Sequence, residues 1–81
     1  MGVVRALPEL DFVVELLPAL AKRERQAFDM IGLGMSNLEI ATAMGIKLST
    51  VRTYTKYIHD KLYIIGRARL AITAYRVGVH K

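Results

Sequence analysis

The sequence predicts an all-α protein: a small helical bundle of four domain helices that contains a helix-turn-helix, preceded by a short helix. Apolar residues recur at helical spacing in five segments, and no segment shows the strict alternation of a half-buried strand. The 81 residues suffice for one small domain, which buries only about 60% of its unfolded surface. Because the chain has no cysteine, no disulfide stabilises this core, and a partner or second copy is an expected source of stability.

Residues 1–20 read as an N-terminal segment with a short amphipathic helix over Pro8–Leu17. Proline suits the first helical position, and Pro18 cannot continue the helix. One face follows the i, i+3, i+4, i+7 spacing, with Leu10, Val13, Val14 and Leu17. So short a helix is not stable alone in water, so this face is expected to pack on its own domain or on another copy. The alternative is a linker to a further domain.

The remaining residues, 21–81, form the domain proper, and its first two helices are marked by their ends. The first is predicted over 22–33 and is followed by a glycine at the C-cap position. The second begins at Ser36, which forms an S-x-x-E capping box with Glu39. It ends at Gly45, which can adopt the positive φ that a tight turn between crossed helices needs.

The next helix, predicted over 48–62, crosses the one before it. Val51 faces back toward the preceding helix, and the small Ala41 on that helix allows a close approach. Two crossed helices joined by a glycine turn are the arrangement that presents the second helix to a DNA major groove. The sequence therefore predicts a helix-turn-helix with 48–62 as its recognition helix.

The last helix is predicted over 67–77 and is expected to close on Gly78. It carries a stripe of apolar residues, two of them small enough for close backbone approach. We expect a symmetric dimer contact through this stripe, which consists of Leu70, Ala71, Ala74 and Val77. Part of the stripe must also cover the domain's own core, so a small interface and a dimer that is weak without DNA are expected.

Charge divides the chain into two unlike halves. Residues 1–46 hold four Lys/Arg and six Asp/Glu, a net of −2, whereas residues 47–81 hold eight Lys/Arg and one acid, a net of +7. This asymmetry indicates a polyanion bound by the C-terminal half. The alternative is a generally basic domain. A membrane surface is a poor alternative, because the chain has two Phe and no Trp to anchor it.

Polar residues line one face of the predicted recognition helix. At about 100° per residue, this face holds Ser49, Arg52, Thr53, Lys56 and Asp60. Arginine and lysine pair with the guanine O6 and N7 atoms, and threonine contacts a thymine methyl or donates a hydrogen bond. Arg52, Thr53 and Lys56 are therefore the predicted base contacts, the alternative being a solvated helix face.

Further residues have the chemistry and position for contacts with DNA phosphates. They are Ser36, Asn37, Lys47, Ser49, Thr50, Lys61 and Arg67. Helix capping is the alternative for Ser36, Asn37 and Thr50. Lys61 and Arg67 have ion pairing within the protein as their alternative, with Glu24 or Asp60.

Nothing in the sequence favours an enzyme, a cofactor or a metal site. His59 and His80 have no partner at metal-ligand spacing and are expected on the surface. The glycines at 32 and 34 imitate half of a dinucleotide fingerprint, but no strand precedes them. No apolar run approaches the roughly 20 residues that span a bilayer, and no signal peptide is recognised. A cytoplasmic protein is expected.

The pattern over residues 20–78 resembles the LuxR/NarL-type (FixJ-like) helix-turn-helix domain of bacterial transcription regulators. The matching residues are Arg23, Glu24, Gly34, Ser36, Asn37, Glu39, Ile40, Ala41, Gly45, Ile46, Thr50, Val51, Arg52, Tyr54, Ile58, Lys61, Leu62, Arg67 and Gly78. Region four of sigma factors is less similar. The resemblance implies that the positions of Arg52, Thr53 and Lys56 read bases, and that dimers occupy paired half-sites.

Three positions depart from the family pattern. Ala21 and Lys47 stand where Thr or Ser usually caps a helix, a loss worth roughly 0.5–2 kcal/mol each. Ser49 would cap the recognition helix if that helix started late. Tyr63 replaces the usual small residue that follows the recognition helix.

The function predicted from the sequence is sequence-specific binding of double-stranded DNA by a transcription regulator, as a dimer on a two-fold operator. The alternative is a helical adaptor that acts on polymerase or on a sigma factor, favoured by the 53% hydrophobic content. RNA polymerase is also a candidate partner of the DNA-bound form. The operator, the sign of regulation and the inducing signal stay open at this point.

Overall fold

The computed structural model describes residues 9–80 of the chain, which contain five α-helices and one 3-10 helix. The elements are α1 (Glu9–Leu16), the 3-10 helix (Leu17–Ala19), α2 (Lys22–Gly32), α3 (Asn37–Met44), α4 (Leu48–Leu62) and α5 (Arg67–His80). This confirms the predicted all-α bundle. Pro8, the predicted start of the first helix, lies outside the described residues.

The predicted helix ends agree with the structure except at α5, where the prediction was wrong. α4 has the predicted bounds, and α2 and α3 differ from theirs by one residue. Helix α5 continues past Gly78 to His80. Glycine costs a helix up to about 1 kcal/mol relative to alanine but does not stop it. The buried Val77 holds this turn of α5 against the core, so the helix continues.

The core forms where α2 packs against α4 and α5. Its largest fully buried side chains come from all four domain helices: Phe28, Ile31, Ile40, Val51, Ile58, Leu62 and Leu70. Helix α2 contacts both α5 and α4 extensively, and α3 packs mainly on α4. The core therefore fixes α4 from two sides and leaves its outer face to solvent.

The predicted dimer stripe of α5 belongs to this core. Leu70, Ala74 and Val77 are buried within one copy of the chain, and Ala71 is half-buried. The reason is that α2 crosses α5 on this side, so the apolar spacing of these residues reflects intramolecular packing. The large apolar residues that α5 exposes are Ile72, Tyr75 and Val79.

Helix α1 packs on its own domain, against α4 and α5. Leu10, Val13 and Leu17 are buried, which confirms that this face contacts protein. Val14 was wrongly assigned to the buried face, because it is 44% exposed. It follows Val13 by about 100° around the helix, and the domain covers only one side of α1.

Helices α2 and α5 approach until their backbones nearly touch at Gly32. A Cβ atom placed on Gly32 would lie 2.7 Å from the carbonyl carbon of Ala74 and 2.8 Å from the nitrogen of Tyr75. Both neighbours are backbone atoms, which cannot move aside independently. Only glycine fits this crossing, which sets the distance between the two helices.

An ion pair joins α2 to the C-terminal half of α4. Lys61 Nζ donates to Glu24 Oε1 over 2.8 Å, and the Glu24 side chain is almost fully buried. The backbone N–H of Ala21 donates to the same oxygen over 2.9 Å. Burial by itself raises the pKa of Glu24, but the hydrogen bonds from Lys61 and Ala21 and the Lys61 charge hold that pKa below its usual 4.5.

Replacing Gly32 should destabilise the fold, whereas the same replacement at Gly78 should not. Alanine raises helix propensity at both sites by up to about 1 kcal/mol, but Gly32→Ala also overpacks the crossing, which typically costs about 1–3 kcal/mol. A Cβ at Gly78 meets nothing within 4 Å. Urea unfolding followed by circular dichroism should show Gly32→Ala less stable and Gly78→Ala equal to or more stable than wild type. Equal stability of the two variants would contradict the close crossing.

The Glu24–Lys61 pair should make stability depend on pH in the acid range. A carboxylate whose pKa is lower in the folded than in the unfolded chain stabilises the fold above its unfolded pKa, and this contribution is lost as the pH falls through the folded pKa. Glu24→Gln keeps an acceptor for Ala21 but removes the charge. Its stability deficit against wild type should be largest near neutral pH and should shrink below about pH 4.5. Urea unfolding of both proteins from about pH 6.5 to about pH 3 measures this gap, and a constant gap would count against the pair.

Candidate nucleic-acid interface

The helix-turn-helix of α3 and α4 has the geometry that the sequence predicts. Ser36 Oγ accepts the N–H of Glu39 over 3.1 Å, and Glu39 Oε1 accepts the N–H of Ser36 over 2.8 Å, which completes the capping box. Gly45 ends α3 in the left-handed conformation, with φ 67° and ψ 37°. Ala41 and Val51 are both buried between the two helices. The turn therefore holds α4 at a fixed angle across α3.

Helix α4 presents its polar face to solvent. Val51, Ile58 and Leu62 are buried on its inner side, and Tyr54 is half-buried beside them. The three predicted base contacts all lie on the exposed side: Arg52, Thr53 and Lys56. Thr53 Oγ1 donates to the carbonyl of Ser49 over 3.1 Å, so its hydroxyl hydrogen is engaged within α4. The outer face of α4 thus carries side chains with hydrogen-bond donors, among them Arg52 and Lys56, on a helix that the core holds in place.

The N-terminus of α4 is open. Lys47 occupies the N-cap position in extended conformation, and no side chain caps the helix there. Because α4 begins at Leu48, the alternative of a late start capped by Ser49 is wrong. The first N–H groups of a helix attract anions, and the exposed Lys47 adds a full positive charge beside them. The absence of the usual cap leaves these groups accessible.

The two cations on the outer face of α4 differ in their surroundings. Lys56 Nζ lies 3.4 Å from Asp60 Oδ2, one turn further along, and both side chains are largely exposed. Arg52 takes part in no ion pair among residues 9–80. An exposed pair of this kind is worth about 0–1 kcal/mol, so Lys56 can leave Asp60 at little cost.

Two predicted phosphate contacts are engaged inside the protein instead. Lys61 pairs with Glu24, as described above. Arg67 donates to Asn37 Oδ1 over 2.6 Å and to the carbonyl of Met35 over 3.1 Å. Arg67 therefore bonds to the start of α3, and neither of the acidic partners suggested for it by the sequence is involved. This bond also occupies the carbonyl end of the Asn37 side chain, another predicted phosphate contact.

Other polar contacts around the motif were not foreseen from the sequence. Arg23 Nη2 donates to the carbonyl of Met44 over 3.3 Å, at the last turn of α3. No local sequence pattern indicates this bond, because the two residues are 21 positions apart. His59, expected on the surface, is half-buried with Nδ1 2.8 Å from the carbonyl of Ile64. Tyr57 is 46% exposed beside the polar face.

The C-terminal end of α4 is closed by a strained residue. Tyr63 adopts the left-handed conformation at φ 57°, the sole residue other than glycine with positive φ in the described part of the chain. Glycine adopts this conformation without steric cost, whereas the Cβ atom of tyrosine makes it unfavourable. The Tyr63 side chain is exposed and its ring lies 6.4 Å from that of Phe12.

Residues 9–80 contain no group of three or more His, Cys, Asp or Glu side chains arranged to hold a metal ion. No helix within that range is long and apolar enough to cross a membrane.

Comparisons with known proteins agree with this geometry. The family described as "Bacterial regulatory proteins, luxR family" matches residues 18–74. Response regulator protein VraR from Staphylococcus aureus (strain Mu3 / ATCC 700698) is 37% identical over 62 residues, which are 76% of this chain and 30% of that protein. The VraR proteins of Staphylococcus saprophyticus and Staphylococcus epidermidis have the same identity and coverage.

The chain thus spans less than a third of the length of these relatives. No solved structure matches it. The family match covers more than half of the chain, including the whole of α2, α3 and α4. The chain belongs to the luxR family of bacterial regulatory proteins, whose helix-turn-helix domain binds DNA in the regulation of transcription.

Proposed function

We propose that this protein binds double-stranded DNA sequence-specifically as a transcription regulator, with α4 in the major groove. The observation that carries the proposal is the outer face of α4, where Arg52, Thr53 and Lys56 project from a helix fixed on its other side by the core. A major groove about 12 Å wide admits one α-helix, so a single exposed helix face can reach base edges.

Arg52 is the best candidate for direct base recognition. It is exposed and has no ion-pair partner among residues 9–80, so no ion pair has to break when it binds. Its planar guanidinium group can pair bidentately with guanine O6 and N7. On binding, Lys56 leaves Asp60 and contacts a base or a phosphate. Thr53 contributes a methyl contact beside Arg52 and Lys56.

The phosphate contacts are proposed at helix N-termini. Lys47, Ser49 and Thr50 surround the uncapped start of α4, where backbone N–H groups and a positive charge favour a phosphate. The N-terminus of α3, with Ser36 and Asn37, is a second position of this kind. Lys61 and Arg67 instead fix the positions of α4 and α3, since both are engaged in hydrogen bonds within the protein.

Two copies are proposed to bind a two-fold operator, one on each half-site. The contact between them cannot use Leu70, Ala74 and Val77, the residues predicted from the sequence, because they are buried in each copy. Ile72, Tyr75 and Val79 form an exposed apolar row along α5 at i, i+3, i+7 spacing. We assign the α5 contribution to the dimer contact to this row.

An adaptor that binds another protein is the second candidate. The specific observation for it is the exposed apolar surface of α1 and α5, which includes Phe12, Ile72 and Tyr75. The two functions differ in their response to salt. Retention on duplex DNA that falls steeply with salt supports DNA binding, whereas DNA-independent capture on polymerase or a sigma factor supports the adaptor.

Removing the side chains of the α4 face should impair recognition without unfolding the protein. Arg52→Ala should lose roughly 1–3 kcal/mol of binding to a duplex selected from a random pool and relax the preference at one position per half-site. Lys56→Ala should weaken binding with a smaller change in preference. Titration of selected and scrambled duplexes measures both effects, and Lys22→Ala, which removes an exposed cation from α2, serves as the matched control.

Both substitutions lie on a solvent-facing surface, so thermal unfolding of the two variants should match that of wild type. Unchanged affinity and unchanged preference for Arg52→Ala and Lys56→Ala together would mean that α4 does not read DNA. The adaptor function would then take precedence.

Lys47 should contribute to affinity without contributing to sequence preference. Lys47→Ala should weaken binding to selected and scrambled duplexes alike, and the slope of log K against log salt should become shallower by about 0.9, because one fewer phosphate is neutralised. Lys61→Met provides the contrast, because Lys61 is engaged by Glu24. It should reduce stability and leave the salt slope unchanged. A salt slope that changes for Lys61→Met and not for Lys47→Ala would mean that Lys61, and not Lys47, contacts a phosphate.

A further inference from the structure

An open groove lies between α1, the end of α4 and α5. Its volume is about 450 Å³. Apolar side chains form its walls, among them Phe12, Val13, Tyr63 and Ile72, and Arg69 and Arg76 lie along its α5 side. Three of the wall residues, Phe12, Tyr63 and Ile72, are more than half exposed. Large apolar side chains that cluster at one place and stay exposed to water are a candidate contact surface for another macromolecule.

The charge of the groove indicates which kind of surface can bind in it. Among the described residues that line the groove, Arg69 and Arg76 are charged and none is acidic. Arg69 already interacts within the chain, so Arg76 is the charge to which an apolar surface that carries carboxylates is the electrostatic complement. The outer face of α1 has this chemistry, because it exposes the neighbouring acids Asp11 and Glu15 between Val14 and Phe12. Neither acid forms an ion pair among residues 9–80, nor does Arg76.

The acidic face and the basic groove lie next to each other on one surface of the chain. Such a surface is complementary to itself after a two-fold rotation, which places the α1 of each copy against the groove of the other. In that arrangement Phe12 extends the apolar contact that Ile72 provides, and the carboxylates of one copy meet Arg76 of the other. The exposed row of α5 continues from the same edge, since Ile72 belongs to both surfaces.

Helix α1 lies outside the residues that the family comparison covers, which begin at 18. The groove therefore depends on a helix that the luxR family match does not include. Its contribution to assembly would be a property of this chain and not of the domain shared with its relatives.

We propose that the acidic helix α1 is a dimerisation element that docks across the Arg76 groove of a second copy of this chain. The inference deepens the dimer of the proposed function and rests on it. The occupant is a second copy because the chain itself supplies the acidic, apolar helix face that the groove complements.

Charge reversal on each side of the contact tests the proposal. The acid-reversed variant carries Asp11→Lys and Glu15→Lys, and the groove variant carries Arg76→Glu. Sedimentation of the full chain without DNA, over a concentration series, should show wild type dimerising and each variant dimerising at least about tenfold more weakly. An equimolar mixture of the two variants should recover the dimer, because opposite charges then face each other across the contact.

A second mixture separates this pairing from a general effect of net charge. Lys22→Glu changes the net charge by the same amount as Arg76→Glu, but on the exposed surface of α2. It should leave the wild-type dimer intact and should not restore the acid-reversed variant. Thermal unfolding of every variant confirms that α1 and the domain remain folded.

Three results would overturn the proposal: a wild-type chain that stays monomeric, variants that dimerise as wild type does, or recovery by Lys22→Glu as well as by Arg76→Glu. Binding of each variant to a duplex with a single half-site is measured separately. A wild-type chain that dimerises without binding any duplex would refute the proposed DNA binding alone. A monomer that binds the half-site would refute the α1 contact alone.

Discussion

Burial of one side of α4 is the constraint on which the rest of this structure depends. Val51, Ile58 and Leu62 are held in the core by α2 and α3, and their spacing leaves α4 a single possible rotation about its axis. That rotation directs Arg52 and Lys56 outward. A helix that could turn about its axis would present its donors at varying angles, and base recognition requires donors held in fixed geometry.

The polar residues around α4 divide into two groups with different tasks. Lys61 bonds to Glu24 on α2, Arg67 bonds to Asn37 at the start of α3, and Arg23 bonds to the last turn of α3. These bonds connect the helix-turn-helix to the rest of the domain. Arg52 and Lys47 form no such connection within the described residues, so their charges are not neutralised there by an ion pair. Residues of one chemical type thus differ in function according to what lies beside them.

The sequence predicted the helices well because their signals are local. The capping box of Ser36, the glycine turn at 45 and the apolar spacing of α4 each depend on a few neighbouring residues. The prediction failed where a distant element decides the outcome. The sequence indicates that part of the stripe of Leu70, Ala74 and Val77 covers the core, but only the crossing of α2 at Gly32 reveals that all three residues are internal. Likewise, the hydrogen bond from Arg67 to Asn37 joins residues that are 30 positions apart, and no local sequence pattern predicts it.

The Lys56–Asp60 pair has a consequence for how the protein would search a chromosome. Nonspecific attraction to DNA grows with the number of phosphates that a protein can neutralise, and Asp60 offsets one positive charge on the outer face of α4, which is the face proposed to approach the duplex. The chain would therefore stay bound to each nonspecific stretch of DNA for a shorter time than it would without the negative charge of Asp60. At a sequence that offers Lys56 a well-placed acceptor, the hydrogen bond made there would replace the bond to Asp60 and compensate for this offset. A single carboxylate on the outer face of α4 would in this way shorten the search, while the time spent bound at the correct site would fall less.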